Sequence, residues 1–255
     1  MKSERRRGLG WSFVGIMVAA FVMWRGLTVL GEDAIEEARK TDPYYKTYGG
    51  WETRPLEAAR KQGKLVFQSD FSGALGATRD WKADGVSVKL KDGTAVLSLS
   101  PERIAANKKF GVLWVKTPFA QPLMIEVEFT LDAAMPHDAN VFWGQKEPDS
   151  ENLGKEQECY IMGYFGWGGI CSGFEGAKCG SYGITGTTEP KLNTRYTGTW
   201  IIKDQVQSLY LDGTLLVNSK TPAPPPESGY MGLSVYQSKV LFHSVKVYSL
   251  PGKKK

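Results

Sequence analysis

The chain has 255 residues, of which 42% are hydrophobic and 23% charged, with a formal net charge of +5. That length holds one large domain or two small ones. The basic excess is terminal: Lys2, Arg5, Arg6, Arg7 and Arg25 stand against Glu4 in the first 31 residues, and the remainder is near neutral, so no phosphate-neutralising face and no nucleic-acid partner are expected.

Residues 1–8 form a basic tail. Residues 9–30 are apolar with Arg25 as their only charge. Twenty-two residues at about 1.5 Å each reach roughly 33 Å, enough to span a bilayer core. Trp11 and Trp24 suit the two interfaces, and Arg25 lies near the end, where it would snorkel to the headgroups. Basic residues precede the span and Glu32, Asp33, Glu36 and Glu37 follow it, which places the N-terminus in the cytoplasm and exports the rest. A cleaved signal peptide is the competing reading. No A-x-A motif precedes Glu32, so an uncleaved anchor is preferred.

Residues 31–64 read as a connector with short helices. RPLEAARKQG has Pro near its start and Gly63 just past its end, the usual asymmetry of helix termini. From Leu65 the hydrophobic period becomes two. VSVKLKDGTAVLSLS is a hairpin turning at Asp92-Gly93, and Asp212-Gly213 marks a second. With LMIEVEFTL, NVFWGQ, ECYIMGYF, YTGTWIIKD, GYMGLSVYQ and KVLFHSVKVYSL, about a dozen antiparallel strands fill residues 65–250, and no crossover is long enough for parallel βαβ units. Residues 251–255 are a second basic tail.

FQSDFSG, IEVEFTL followed by NVFWGQ, the glycine-aromatic YIMGYFGWGG, the hairpin at LYLDGTLLV and the closing GYMGLSVYQSKVLFHSVKVYSL together resemble the concanavalin A-like lectin/glucanase superfamily. They are most similar to bacterial exported domains of the laminin-G-like and 3-keto-disaccharide-hydrolase-like kind. The resemblance implies an all-β, concanavalin A-like jelly-roll sandwich with a concave face where relatives bind sugars. Glycosidases of the superfamily carry an E-x-D-x-x-E run on one strand. Here Glu126 and Glu128 share a strand face, but the third in-phase position is Thr130, which departs from that pattern. His137 and His243 sit beside no nucleophile elbow and give no zinc spacing. Asp138 and Asn140 alternate as calcium ligands would, and no other cofactor is expected.

Residues 164–186, YFGWGGICSGFEGAKCGSYGITG, hold eight glycines and two of the three cysteines. In an oxidising compartment Cys171 and Cys179 form the favoured disulfide candidate, stapling a surface loop and leaving Cys159 as a thiol. Tyr164, Trp167 and Tyr182, with Trp143 from the neighbouring strand, form a candidate aromatic platform for a sugar or a protein. With the anchor, this favours a non-catalytic accessory or scaffold subunit of a membrane protein complex, respiratory or photosynthetic among the possible hosts. The expected site is the bacterial inner membrane, with the main domain periplasmic or otherwise exported. A membrane-tethered carbohydrate-binding module is the alternative, and a glycoside hydrolase using Glu126 and Glu128 a third reading.

Overall fold

The computed structural model describes residues 54–72, 79–134, 137–187 and 189–252. The membrane-anchoring candidates Trp11, Trp24 and Arg25, and the whole segment 9–30, lie outside the described residues. Among the described residues no helix is long and apolar enough to cross a membrane.

Helix α1 (Arg54–Gln62) closes the connector. It is followed by β1 (Lys64–Ser69), β2 (Trp81–Asp84), β3 (Val86–Lys91) and β4 (Thr94–Leu99). The short helix α2 (Pro101–Ala105) is capped by the Ser100 hydroxyl, which accepts from the Arg103 amide. Then come β5 (Phe110–Val115), the two-residue β6 (Phe119–Ala120), β7 (Leu123–Leu131), β8 (Ala139–Gln145) and β9 (Tyr160–Phe165). A single turn of helix, α3 (Gly166–Gly169), leads into β10 (Cys171–Gly176) and β11 (Gly180–Gly186). The chain ends with β12 (Tyr196–Lys203), β13 (Val206–Leu211), β14 (Thr214–Lys220), β15 (Ser228–Tyr236) and β16 (Lys239–Ser249).

These strands make two antiparallel eight-stranded sheets. Sheet I runs β14-β13-β12-β7-β16-β4-β3, with β1 added to β16; sheet II runs β11-β10-β9-β8-β15-β5-β2, with β6 added to β15. The all-β sandwich and both Asp-Gly hairpins match the sequence reading. The strands beyond a dozen come largely from short β2 and β6 and from the glycine-rich stretch. That stretch is a β10–β11 hairpin and not an irregular loop.

Period-two alternation fills the space between the sheets. Ile125, Val127 and Phe129 of β7 face Trp143 of β8, Met162 and Tyr164 of β9 and Phe174 of β10 across one continuous core. Phe129 stacks on Tyr164 with ring centroids 5.3 Å apart, an arrangement worth about 1 kcal/mol beyond area burial. Gly198 of β12 has no side chain because Tyr164 occupies the place: a β-carbon there would lie 2.7 Å from the Tyr164 hydroxyl and overlap its ring. Gly198→Ala is therefore expected to cost about 2 kcal/mol by overpacking, read as a shift of the urea unfolding midpoint.

The outer face of sheet I carries a second apolar cluster. Leu56 and Ala59 of α1 cover Met124, Ile201, Tyr210 and Leu250 there, which is what holds the connector helix down.

Candidate functional site

Glu126 and Glu128 project from the outer face of sheet I, side by side as the alternation requires. Both are engaged by cations. Glu126 accepts from Arg60 of α1 at 2.9 Å with Lys246 at 3.8 Å, and Glu128 has Arg195 at 3.5 Å. The next in-phase residue, Thr130, meets His243 Nε2 at 2.9 Å, while Thr94 meets Nδ1 at 3.1 Å. His243 occupies a bulge in β16 opposite β7. Burial holds its pKa below the ordinary 6.5, helped by Arg195 and opposed by Glu128. The unfolded chain then binds the proton more readily. Stability is expected to fall as pH drops below 6.5 toward the folded-state value, and His243→Gln to flatten that fall in urea titrations at pH 7.5 and 5.5.

The proposed aromatic platform is corrected by the structure. Trp143 and Tyr164 are fully buried between the sheets; the Trp143 indole donates to the Phe119 carbonyl at 3.2 Å and the Tyr164 hydroxyl to the Tyr210 carbonyl at 2.7 Å. Tyr182 packs on Phe174 at 5.8 Å and donates to Gln207 Oε1 at 2.9 Å. Of the four, Trp167 alone projects outward, 40% exposed. The staple is corrected too. Cys171 begins β10 opposite Gly186, whereas Cys179 lies in the turn past Gly176, at the other end of the same hairpin. Five residue steps of strand, roughly 16 Å, separate the two ends, beyond the ~7 Å limit for bridged α-carbons. All three cysteines are free thiols.

The outer face of sheet II holds the more informative arrangement. Ala139, Val141 and Trp143 of β8 point into the core, so Asn140 and Phe142 point out. Register aligns Asn140 with Ser234 of β15 on one side and with Gly163 of β9 and Gly173 of β10 on the other. A β-carbon at Gly163 would lie 2.8 Å from Asn140 Oδ1, so this glycine leaves room for the amide above the sheet. Asn140 is only 8% exposed, yet its side chain makes no hydrogen bond with any described residue. Neither of its amide atoms is among the sealed, unpartnered polar atoms of the described residues, so the amide stays open to solvent and available to a ligand.

Its neighbours are carboxylates and exposed apolar groups. Asp138, two residues earlier, has His137 Nδ1 3.1 Å from its Oδ2. Burial raises the Asp138 pKa above the ordinary value; the His137 hydrogen bond and charge oppose this, and the negative Glu175 of β10 adds to it. Glu175 accepts from the Ser181 hydroxyl at 3.1 Å. Around them Trp167, Ile184 and Tyr236 stand 40–42% exposed. Backbone strain collects at the same end of the sheet: Asp138, Phe165, Trp167 and Gln237 all have φ between 50° and 59°, a region that costs non-glycine residues of order 1 kcal/mol each. Among the described residues, no three of His, Cys, Asp and Glu converge to hold a metal ion.

The other half of this face is covered. Val112 and Trp114 of β5, Phe142 and Cys159 form a buried cluster under Leu153. The segment 146–158 that carries Leu153 is fastened by Arg103 of α2, whose guanidinium donates to Glu151 and Ser150 and, at 3.2 Å, to Asp84. Asp84 also accepts from the Ser150 amide at 2.6 Å, and Lys82 donates to the Pro148 carbonyl at 2.7 Å. Gln145 closes the segment from inside, donating to the Asn152 carbonyl at 3.0 Å and accepting from the Gly154 amide at 3.0 Å.

No protein-family model matches the chain, and no curated protein does. Solved structures do. A galectin-like protein of unknown function from Bacillus subtilis superposes with a TM-score of 0.62 at 10% identity, over 75% of this chain and 99% of its own. An endo-β-1,3-glucanase from Pyrococcus furiosus gives 0.54 at 12% identity over 74% and 95%. A carbohydrate-binding module from Bacillus subtilis gives 0.51 at 12% identity over 67% and 96%. The two-sheet architecture is thus that of the galectin and glucanase jelly rolls. The chain has the concanavalin A-like fold, as the sequence resemblance implied. At these identities the likeness extends to the fold alone.

Proposed function

We propose that this chain is a non-catalytic carbohydrate-binding protein whose ligand lies on the open part of the sheet II outer face. The observation that carries the reading is Asn140, a carboxamide whose polar atoms are open to solvent and make no hydrogen bond with a described residue, set over a glycine floor. A carboxamide offers donors and an acceptor at once, which matches vicinal hydroxyls. Asp138 and Glu175 are acceptors for further hydroxyls, and Trp167 and Tyr236 supply apolar faces for sugar rings. Two carboxylates favour a neutral glycan over a uronic or sulfated one. The carbohydrate-binding and glucanase neighbours support the same class. The hydrolase reading through Glu126 and Glu128 gains nothing from the geometry, since both carboxylates are engaged by Arg60, Lys246 and Arg195.

An accessory role in a membrane complex draws on residues 9–30, outside the described residues. We retain the anchor itself in the proposal: a sugar-binding sandwich tethered to the bacterial inner membrane and exported from the cytoplasm. The test is a glycan array probed with the full chain in detergent. Binding to neutral oligosaccharides, unaffected by Glu126→Gln, is the expected result. An array on which no glycan binds, with the chain folded by circular dichroism, would sink the reading.

A further inference from the structure

The covered half of the sheet II face limits what the open half can hold. Two rows of outward positions cross this sheet. One runs Trp114, Gly232, Phe142, Ile161, Glu175; the other runs Val112, Ser234, Asn140, Gly163, Gly173. Toward β5 both rows are sealed: Val112, Trp114 and Ser234 have no exposed surface and Phe142 has 3%. Toward β11 they open, with Ile161 and Glu175 half-buried and Ile184 exposed beyond Gly173. The cover also turns a corner, because Cys159, just before β9, is sealed in the same cluster under Leu153. Asn140 stands at the boundary, the innermost polar group that a ligand entering over β11 would reach. From β8 to β11 is three strand spacings, roughly 14 Å, room for about two or three sugar rings.

We infer that this face receives a chain end or a short oligosaccharide, and does not hold the interior of a polymer. The inference rests on the carbohydrate reading and adds the end-on mode. A polymer laid across the strands would have to pass through segment 146–158, which Arg103, Lys82 and Gln145 fasten to three different elements. The terminal ring abuts the cover and uses Asn140 and Asp138, while later rings pass over Gly163, Gly173 and Ile184 toward solvent.

The experiment is calorimetric titration of the full chain in detergent with neutral gluco-, galacto-, manno-, xylo- and fructo-oligosaccharides of two to six units. Each series is repeated with the reducing end or the non-reducing end blocked. Expected is an affinity that changes less than about twofold from trimer to hexamer and falls more than about tenfold when one particular end is blocked. An affinity that rises about tenfold from trimer to hexamer and ignores both blocks overturns the end-on mode while leaving carbohydrate binding intact. If no series binds, the carbohydrate reading fails and this inference with it.

Discussion

Asn140→Ala is expected to weaken glycan binding about tenfold or more while leaving the unfolding free energy unchanged to within about 0.5 kcal/mol. The split follows from where the amide makes its bonds. Asn140 gives the fold no side-chain hydrogen bond among the described residues and its amide atoms reach solvent, so truncation breaks no bond of the fold and orphans no partner. In the complex the same amide would supply two hydrogen bonds, each worth about 1 kcal/mol net. Ser234 is the matched control. It lies beside Asn140 in the same row, but its hydroxyl donates to the Gly111 carbonyl at 2.9 Å under the covered half. Ser234→Ala should therefore lose about 1 kcal/mol of stability and keep its affinity. Thermal unfolding and titration calorimetry on both variants decide the matter. A stability loss for Asn140→Ala equal to that of Ser234→Ala, with binding unchanged, would make Asn140 an ordinary structural residue.

The fold was legible in the sequence because its signals are local. Asp92-Gly93 and Asp212-Gly213 turn hairpins where the chain needs positive φ, and from Ile125 onward IEVEFTL alternates because only its inner face is fully buried; the preceding Met124, apolar and out of phase, is covered by α1. The site was less legible, and NVFWGQ shows why. Its strand β8 is buried on both faces, one by the core and one by segment 146–158, so Trp143 and Phe142 are equally apolar and alternation does not say which points inward. Trp143 and Tyr164 look like a sugar platform in one phase and are core in the other. The glycines of residues 164–186 suggested a loop. One of them, Gly173, is explained by close approach instead, since a β-carbon there would strike the Gly183 carbonyl, just as one at Gly163, immediately before the stretch, would strike Asn140. Asp138 and Asn140 were visible as alternating oxygen donors, but their register beside Gly163 and their proximity to Glu175 are set by how β8, β9 and β10 pair, which the residue pattern does not give.

Arg103→Met is expected to cost about 3 kcal/mol of stability and to loosen segment 146–158 from the face it covers. The guanidinium is nearly buried, its side chain 10% exposed, and it joins three groups from two separate parts of the chain: Asp84 at the end of β2, and Ser150 and Glu151 in the segment. Methionine keeps an apolar stem over Gly85, where a β-carbon would lie within 2.9 Å of the Arg103 chain, so the loss reports mainly on the charge. Asp84 retains the Ser150 amide at 2.6 Å but loses its cation while only 20% exposed. The comparison is Glu151→Gln. That carboxylate is 53% exposed, and removing its charge should cost well under 1 kcal/mol, because exposed ion pairs are screened by solvent. Trp114 supplies a second readout. It has no exposed surface, and its indole nitrogen finds no partner among the described residues, so a loosened segment admits water to it and shifts fluorescence emission to longer wavelength. Equal stability losses in the two variants, or an unshifted spectrum in destabilised Arg103→Met, would mean that the segment is held by Leu153 and its apolar neighbours. A shifted spectrum with affinity that now grows with oligosaccharide length would show that this one guanidinium keeps the face closed to the interior of a polymer.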